Sequence, residues 1–462
     1  MGKIKITLED LFNLTGSVIY NPDMYKPVSC VSIDSRKIKN DSLFVAIKGE
    51  KYDGHNFIEE AISRGAKAVV INKNKLRKFD SLQIPFITVP DTIKAYGELA
   101  AKWRNKLNAK VISITGSNGK TTTKEMIATL LSEKFNVVKS EANNNNHIGV
   151  PLTIFSANEK CEMLVLEHGT NHFGEIPYSA KISKPDFALI TNIGESHLEF
   201  LKNKEEVYKE KSALFDEAEK RSGVIFVNVD DPIINKNKNN YSKIVTYGFT
   251  KKPNVKGKVL SYDDFGRAKI LIQYNDKEFE ILVPLPGLSN AKNFLAASAV
   301  ALKAGLTEEE IINASQRIKP VHGRLEIKVL KDVIIIDDTY NASPSSVKAA
   351  YEFLESIKVF KKKIMILGDM FELGKHAVKF HKELADNFKK NKNLFVLTHG
   401  KLMKHFHREL KKKNIKTIHF ETRDALSLYL QYEIEDKSVV LIKGSRGMKM
   451  EEFVNILENR FK

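Results

Sequence analysis

Cysteine is nearly absent: Cys30 and Cys161 are the only two in 462 residues, far apart and without metal-ligand spacing. A disulfide scaffold and a cysteine-built zinc site are thereby excluded, and reduced, buried thiols of a cytoplasmic protein are expected. No apolar run approaches the ~20 residues that span a bilayer, so no transmembrane segment is expected. Met1 to Asn13 contains no long apolar stretch ending in small residues, which speaks against export. Repeats and low-complexity tracts are missing, as is any Ser-His-Asp or Cys-His arrangement for nucleophilic catalysis. Negative charge is in deficit: 57 Asp and Glu against 74 Lys and Arg leave a net charge of +17. The lysines are scattered (Lys73 to Lys78, Lys202 to Lys211, Lys361 to Lys363, Lys411 to Lys413) with no aromatic-basic stripe. Nucleic acid is therefore not the expected partner, whereas a basic surface suits polyanionic small molecules such as nucleotides.

What is present is a soluble α/β composition, 42% hydrophobic and 28% charged, on a chain too long for one core. Three stretches differ in pattern. Residues 1–107 mix short strands (31–33, 43–47, 68–71, 86–89) with helices near 58–64 and 92–106. Residues 108–318 hold strand candidates at 163–167, 187–192, 224–229 and 244–247, an alternating hairpin-like stretch to about Val283, and a helix over 290–304. Residues 319–462 alternate strands (333–336, 363–367, 394–397, 417–420, 439–442) regularly with helices, which predicts a doubly wound, mostly parallel sheet.

The most specific segment runs from Ile112 to Thr123. A β-branched run ends at Gly116, turns through Ser117, Asn118 and Gly119, and delivers Lys120, Thr121 and Thr122 into an apolar-periodic stretch. Strand, glycine turn and helix start are the context of a phosphate-binding loop, in which backbone N–H groups and a helix dipole face phosphate oxygens. Lys120 is placed to neutralise β/γ-phosphates, and the Thr121 hydroxyl to hold Mg²⁺. The loop is shorter than the usual form, with Ile114 where the first glycine would stand.

Further polar clusters follow strand candidates, where α/β enzymes place their chemistry. Glu167 heads the run Glu167 to His172, and its carboxylate is a candidate Mg²⁺ ligand. A second run, Thr191 to Glu199, contains His197, which by itself reads as a hydrogen-bonded loop histidine. Lys211 by itself reads as one more lysine on a solvated helix face. Asp337 and Asp338 close an all-apolar strand, so they belong at the sheet's polar lip. There they suit either a nucleotide ribose or base, or, through Asp338 or Ser343, a helix N-cap. Lys443 to Gly447 follows another strand and can form an anion cradle, with Arg446 as a fork for a carboxylate or Ser445 as a simple cap.

Taken together, these motifs resemble the Mur ligase family. The likeness rests on the shortened loop Gly116 to Thr122, on Asn145 to Pro151, Glu167 to Ile176 and Thr191 to Glu199, and on Pro286-Gly287 with Asn290 and Asn293. Gly323-Arg324, Asp337 to Pro344, Gly368 to Gly374 and Lys443 to Glu451 extend it, the last two resembling the dipeptide-adding branch. The resemblance implies three α/β domains: a small N-terminal domain (1–107) for a uridine nucleotide, a central P-loop ATPase-like domain with a mostly parallel sheet (108–318), and a C-terminal Rossmann-like domain (319–462) for the incoming dipeptide. It implies an ATP-dependent amide ligase working through an acyl phosphate, with Mg²⁺ and small-molecule substrates, expected as a monomer. Lys120, Glu167, His197 and Lys211 would be catalytic. Thr121 and Glu167 would hold one metal, and His197 and a carbamylated Lys211 a second. Gly116, Ser117, Asn118, Gly119, Lys120, Thr121, Thr122, Asn290, Asn293, Arg324, Asp338 and Asn341 would bind ATP. Ser35, Arg36, Asp53, Gly54 and His55 would approach the uridine nucleotide, Asn145, Asn146 and Asn171 the peptide, and Ser445 and Arg446 the dipeptide. Two positions depart from the family pattern: Ser289 stands where the branch usually carries His, and Ala213 where the family often carries Glu.

Overall fold

The computed structural model describes residues 4–196 and 198–462. Its strands assemble into three sheets. The first holds β1 (Val18–Tyr20), β2 (Cys30–Ser32), β3 (Ser42–Val45), β4 (Ala66–Asn72) and β5 (Phe86–Val89) in the order β1-β5-β4-β3-β2. Its pairings are parallel except β1 with β5. The expected strands here are present; β1 is an addition, a three-residue edge whose side chains are exposed or half-buried and so carries no apolar signal.

The central sheet collects β6 (Lys110–Thr115), β7 (Val137–Lys139), β8 (Met163–Glu167), β9 (Phe187–Ile190), β10 (Val224–Asn228), β11 (Ile244–Gly248), β12 (Val255–Tyr262), β13 (Ala268–Tyr274) and β14 (Lys277–Leu282). Their order is β14-β13-β12-β11-β10-β9-β6-β8-β7, parallel from β7 to β12, with β13 and β14 completing the expected hairpin. From β6 the chain runs outward past β8 to β7, returns to β8, then crosses to β9 on the other side. That reversal beside β6 is the switch point at which open α/β sheets open a crevice. Both faces of β6 are covered, which is why it reads as a continuous apolar run. Ile112 and Ile114 pack with helices Lys120–Leu131 and Leu288–Ala304, while Val111 faces the opposite core.

The third sheet contains β15 (Glu326–Val329), β16 (Val333–Asp338), β17 (Lys362–Gly368), β18 (Leu394–His399), β19 (Thr417–Phe420) and β20 (Ser438–Lys443), ordered β15-β16-β20-β17-β18-β19. It is parallel and doubly wound as expected, except for β15, an antiparallel edge with half-polar residues that the apolar pattern does not reveal.

Helix Thr92–Lys106 joins the first two units. Asp91 caps its start, accepting from the Ile93 and Lys94 amides at 2.9 and 3.1 Å. Its buried face (Tyr96, Leu99, Ala100, Trp103) packs on β3–β5 residues and on Val150, Ile154 and Phe155 of the central unit in one continuous core. The Trp103 indole donates to the Ala157 carbonyl at 3.0 Å, and Arg104 pairs with Asp186 at 2.7 Å. Of the cysteines, Cys161 is buried as expected, whereas Cys30 is only half-buried, being on the edge strand β2.

His168, immediately after β8, belongs to the scaffold. Its fully buried ring lies between the Ser179 and Ser113 hydroxyls at 2.8 and 3.0 Å, tying β6 to helix Glu175–Ser183. Burial depresses its pKa to about 3, so the folded protein keeps it neutral. Because an exposed histidine titrates near ~6.5, the unfolded chain takes up a proton that the folded one refuses as pH falls through that value. This contribution to stability is complete above that value and is lost towards pH 3. Urea unfolding of His168→Gln is expected to depend less steeply on pH between 6.5 and 4 than the parent protein, and equal slopes would refute the assignment. Trp103→Ala is expected to cost roughly 3–5 kcal/mol in the same assay, with the loss felt in both units that share its core.

Candidate functional site

The turn after β6 is closely confined. Gly116 has φ +148°, and a Cβ there would fall 1.9 Å from the Thr191 hydroxyl; Gly119 has φ +79°, and its Cβ would fall 2.5 Å from Asn293 Oδ1. Only glycine fits at either place. The Ser117 amide donates to the Asn192 carbonyl at 2.9 Å, and the Asn118 amide to Asn192 Oδ1 at 3.1 Å. Thr191 Oγ1 donates to the Asn118 carbonyl at 2.6 Å, and the Ser117 hydroxyl accepts from the Gly194 amide at 2.8 Å. The loop after β9 therefore braces the phosphate loop. Helix Lys120–Leu131 starts directly from Gly119, with no side-chain cap on its amides, leaving an anion site at its N-terminus.

Lys120 Nζ lies over the Gly116 carbonyl at 2.8 Å. Enclosure by the cleft lowers its pKa, partly opposed by the Glu167 carboxylate. Thr121 Oγ1 is 3.2 Å from Glu167 Oε1, which also accepts from Asn145 Nδ2 at 2.9 Å. Glu167 is buried at the end of β8, and its Oε2 has no hydrogen-bond partner among the described residues. A buried carboxylate oxygen left unpartnered beside a hydroxyl is costly alone and apt for a hard divalent cation. The donor set therefore fits Mg²⁺.

Lys211 corrects the reading of a solvated lysine. It sits in helix Lys204–Glu219 at 1% exposure. Burial, then the nearby Lys120 ammonium, push its pKa well down, with Glu210 opposing. The helix period turns this one lysine inward beneath the phosphate loop, and sequence cannot distinguish it from its solvated neighbours. His197 lies outside the described residues.

The third sheet closes the cleft from the other side. Arg324 donates to Thr121 Oγ1 at 3.1 Å and stacks on the Tyr340 ring with its guanidinium carbon 4.0 Å from the centroid. Asn118 Nδ2 donates to Ser345 Oγ at 3.1 Å, at the first turn of helix Pro344–Ser356. Between the two sheets lies a cleft of about 480 Å³ lined by Ser117 to Lys120, Thr122, Asn290, Asn293, Arg324, Asp338 and Asn341. Of the expected nucleotide residues, only Gly116 and Thr121 are not on its wall; both adjoin it. Asp338, which together with Asp337 is buried rather than at an open lip, pairs with Lys443 at 2.7 Å; burial nonetheless raises its pKa. Ser343, not Asp338, caps the following helix, in a box with Ser346.

Other expected residues serve the frame around the site. Asn146 Oδ1 accepts from the Ile148 and Gly149 amides, holding the start of helix Gly149–Ser156. Asn171 is exposed, its amide bound to Glu175. The Ser445 hydroxyl accepts from the Phe371 amide at 2.8 Å, and Arg446 reaches Glu451 at 3.5 Å and the Tyr340 face at 5.9 Å. In the first unit, Ser35 donates to Glu60, and the Arg36 fork is closed on Asp34. His55 accepts from the Asn72 amide at Nε2 and contacts Asp53 through Nδ1, while Gly54 lies against the Ile47 backbone. These five residues are not on the wall of the 480 Å³ cleft. Sequence reasoning missed Ser345 and the stacking role of Tyr340, because both act only once the C-terminal unit docks. It also missed Ser140, whose hydroxyl accepts from the Glu167 amide at 3.1 Å while buried Lys124 holds its carbonyl at 2.5 Å.

Family models match in chain order: "Mur ligase family, catalytic domain" over residues 27–104, "Mur ligase middle domain" over 114–301, and "Mur ligase, glutamate ligase domain" over 323–446. The UDP-N-acetylmuramoyl-tripeptide--D-alanyl-D-alanine ligase of Bacillus subtilis (strain 168) is 34% identical, the alignment covering 98% of each chain. Its namesake in Escherichia coli (strain K12) is 32% identical over 98% of this chain and 99% of its own. Among solved structures, MurF from Acinetobacter baumannii superposes with a TM-score of 0.86 at 27% identity, covering 99% of this chain and 100% of its own. The MurF ligase from Thermotoga maritima in complex with ADP gives 0.81 at 28% identity, covering 94% of this chain and 97% of its own. With the glycine loop, the buried carboxylate and the two-sided cleft in place, and with a relative 34% identical along nearly all of its length, the chain belongs to the Mur ligase family.

Proposed function

We propose that the protein uses ATP to join D-alanyl-D-alanine to the terminal carboxylate of a UDP-N-acetylmuramoyl tripeptide, releasing ADP and phosphate in peptidoglycan precursor synthesis. The observation that carries this is the cleft in which Lys120 and Thr121 of the phosphate loop meet Arg324 from the opposite sheet. Relatives bearing that ligase name span nearly the whole chain, and a structural neighbour is described as an ADP complex.

A carboxylate is a poor electrophile, so the tripeptide's terminal oxygen first attacks the γ-phosphorus of ATP, forming an acyl phosphate as ADP leaves. The dipeptide amine then attacks the acyl carbon, and the tetrahedral intermediate collapses with loss of phosphate. Lys120 and the uncapped amides at the start of helix Lys120–Leu131 hold the β/γ-oxygens, and the Arg324 guanidinium faces the same phosphates, so negative charge moves among fixed cations rather than into water. Asn290, Asn293, Asp338 and Asn341, which line the same cleft, are assigned to the rest of the nucleotide. Mg²⁺ held by Thr121 and Glu167 would neutralise charge on the phosphoryl oxygens.

Lys211 is assigned a carbamate. Its amine is buried and lies beside another cation, conditions that favour the neutral form able to react with CO₂. The resulting anion would, with His197, serve a second metal. Ser35, Arg36 and the Asp53–Gly54–His55 loop are assigned to the uridine nucleotide, with His55 shaping the loop through its two internal bonds. Asn145 and Asn171 are assigned to the peptide stem, and Arg446 to the dipeptide carboxylate. Asn146 and Ser445 act by positioning these loops.

Phosphate release from ATP is expected to require both UDP-muramoyl tripeptide and D-Ala-D-Ala, with free amino acids failing to replace the dipeptide; equal rates with a single amino acid would overturn the substrate assignment. Lys120→Ala should lower kcat by about 10²-fold or more in that assay, and an unchanged rate would refute the phosphate-loop role. Lys211→Ala should be similarly impaired and partly rescued by short-chain carboxylates such as acetate, while full activity without rescue would remove the carbamate.

A further inference from the structure

A second cluster of metal-ligand side chains lies outside the nucleotide cleft, at the beginning of the C-terminal unit. Glu326 on β15 and Asp337 on β16 are directly opposed register partners. Two carboxylates facing each other across an antiparallel pair repel, and the Lys328 ammonium, which attracts both, is itself bonded to Glu458. Asp337 is 0% exposed. Its Oδ1 accepts from the Thr339 amide and hydroxyl at 3.1 and 2.6 Å, but Oδ2 has no hydrogen-bond partner among the described residues. An unsatisfied buried carboxylate oxygen is costly. His322 supplies the third donor: its Nδ1 is 3.1 Å from Glu326 Oε2 and 3.9 Å from Asp337 Oδ2, and all three donor atoms lie within 4.8 Å of one another.

From this arrangement we propose that His322, Glu326 and Asp337 bind one divalent transition-metal ion of the zinc class. One imidazole nitrogen with two carboxylate oxygens suits Zn²⁺ better than Mg²⁺ or Ca²⁺, which favour oxygen donors alone. Zinc–ligand bonds near 2.0–2.2 Å place neighbouring tetrahedral donors about 3.4 Å apart, between the two His322 separations. The His322 side chain is 74% exposed, so it can adjust, and the fourth position opens to water. The site is distinct from Thr121 and Glu167. Arg324, two residues after His322, reaches Thr121. An ion here braces the turn from Val321 to Leu325, closed by the Arg324 amide on the Val321 carbonyl, and so steadies Arg324 over the phosphate loop.

The test is Zn²⁺ binding to the full-length protein by isothermal titration in saturating Mg²⁺ and ADP, which occupy the nucleotide site. The expected result is one more equivalent of tightly bound Zn²⁺ in the parent than in His322→Ala, with Glu326→Gln weakening that equivalent at least tenfold. Co²⁺ in its place should give a visible absorption band that His322→Ala lacks. His322 is exposed, so its removal leaves the fold intact, and thermal unfolding checks this directly. Identical stoichiometry and affinity in parent and His322→Ala would overturn the proposal.

Discussion

Steric confinement of the turn after β6 governs the layout of this protein. Thr191 and Asn293 approach Gly116 and Gly119 so closely that a single methyl group would collide with either neighbour. The approach brings the ends of β9 and helix Leu288–Ala304 against the phosphate loop, and hydrogen bonds to Asn192 and from Gly194 complete the collar. A loop gripped from two sides, with its Ser117 and Asn118 amides already bonded to Asn192, holds the uncapped start of helix Lys120–Leu131 in place before any ligand arrives, so little ordering entropy remains to be lost on binding. The shortened loop, with Ile114 in place of a first glycine, is consistent with this grip: Ile114 is fully buried in the strand core and anchors the turn from below.

The same turn couples the units. Arg324 reaches Thr121, and Ser343 and Ser345 both reach Asn118, so the C-terminal unit contacts the phosphate loop through polar side chains. Polar bridges of this kind exchange readily with water and substrate, in contrast to the junction at helix Thr92–Lys106, where Trp103 and its neighbours fuse the first and central units in one core. The central and C-terminal units also meet through apolar groups, Phe265 packing on the C-terminal core and Phe380 on the central one.

Much of the fold was legible because parallel strands covered on both faces read as unbroken apolar runs. β5, β8, β19 and helix Thr92–Lys106 have the bounds that their apolar patterns predict. The edge strands β1, β7 and β15 escaped notice, being short and half-polar; their pairing depends on the neighbour's backbone rather than on their own side chains. Within the site, the phosphate loop, Glu167 and Arg324 were marked by motif. The roles of Asn146, His55 and Ser445 as loop-holding groups were not, because a short polar side chain is equally suited to touching a ligand or to capping the backbone beside it.

By itself, the amino-acid sequence determined local chemistry: which turn can cradle phosphate, which strands are buried, and which family the motifs resemble. Tertiary structure alone decided that Lys211 is enclosed beside Lys120, that Glu167 keeps one oxygen unpartnered among the described residues, and that Glu326 and Asp337 confront each other across two strands. The physical reason is that burial and pairing are properties of what lies opposite a side chain. Those opposing groups come from segments tens to hundreds of residues away, where no local pattern records them.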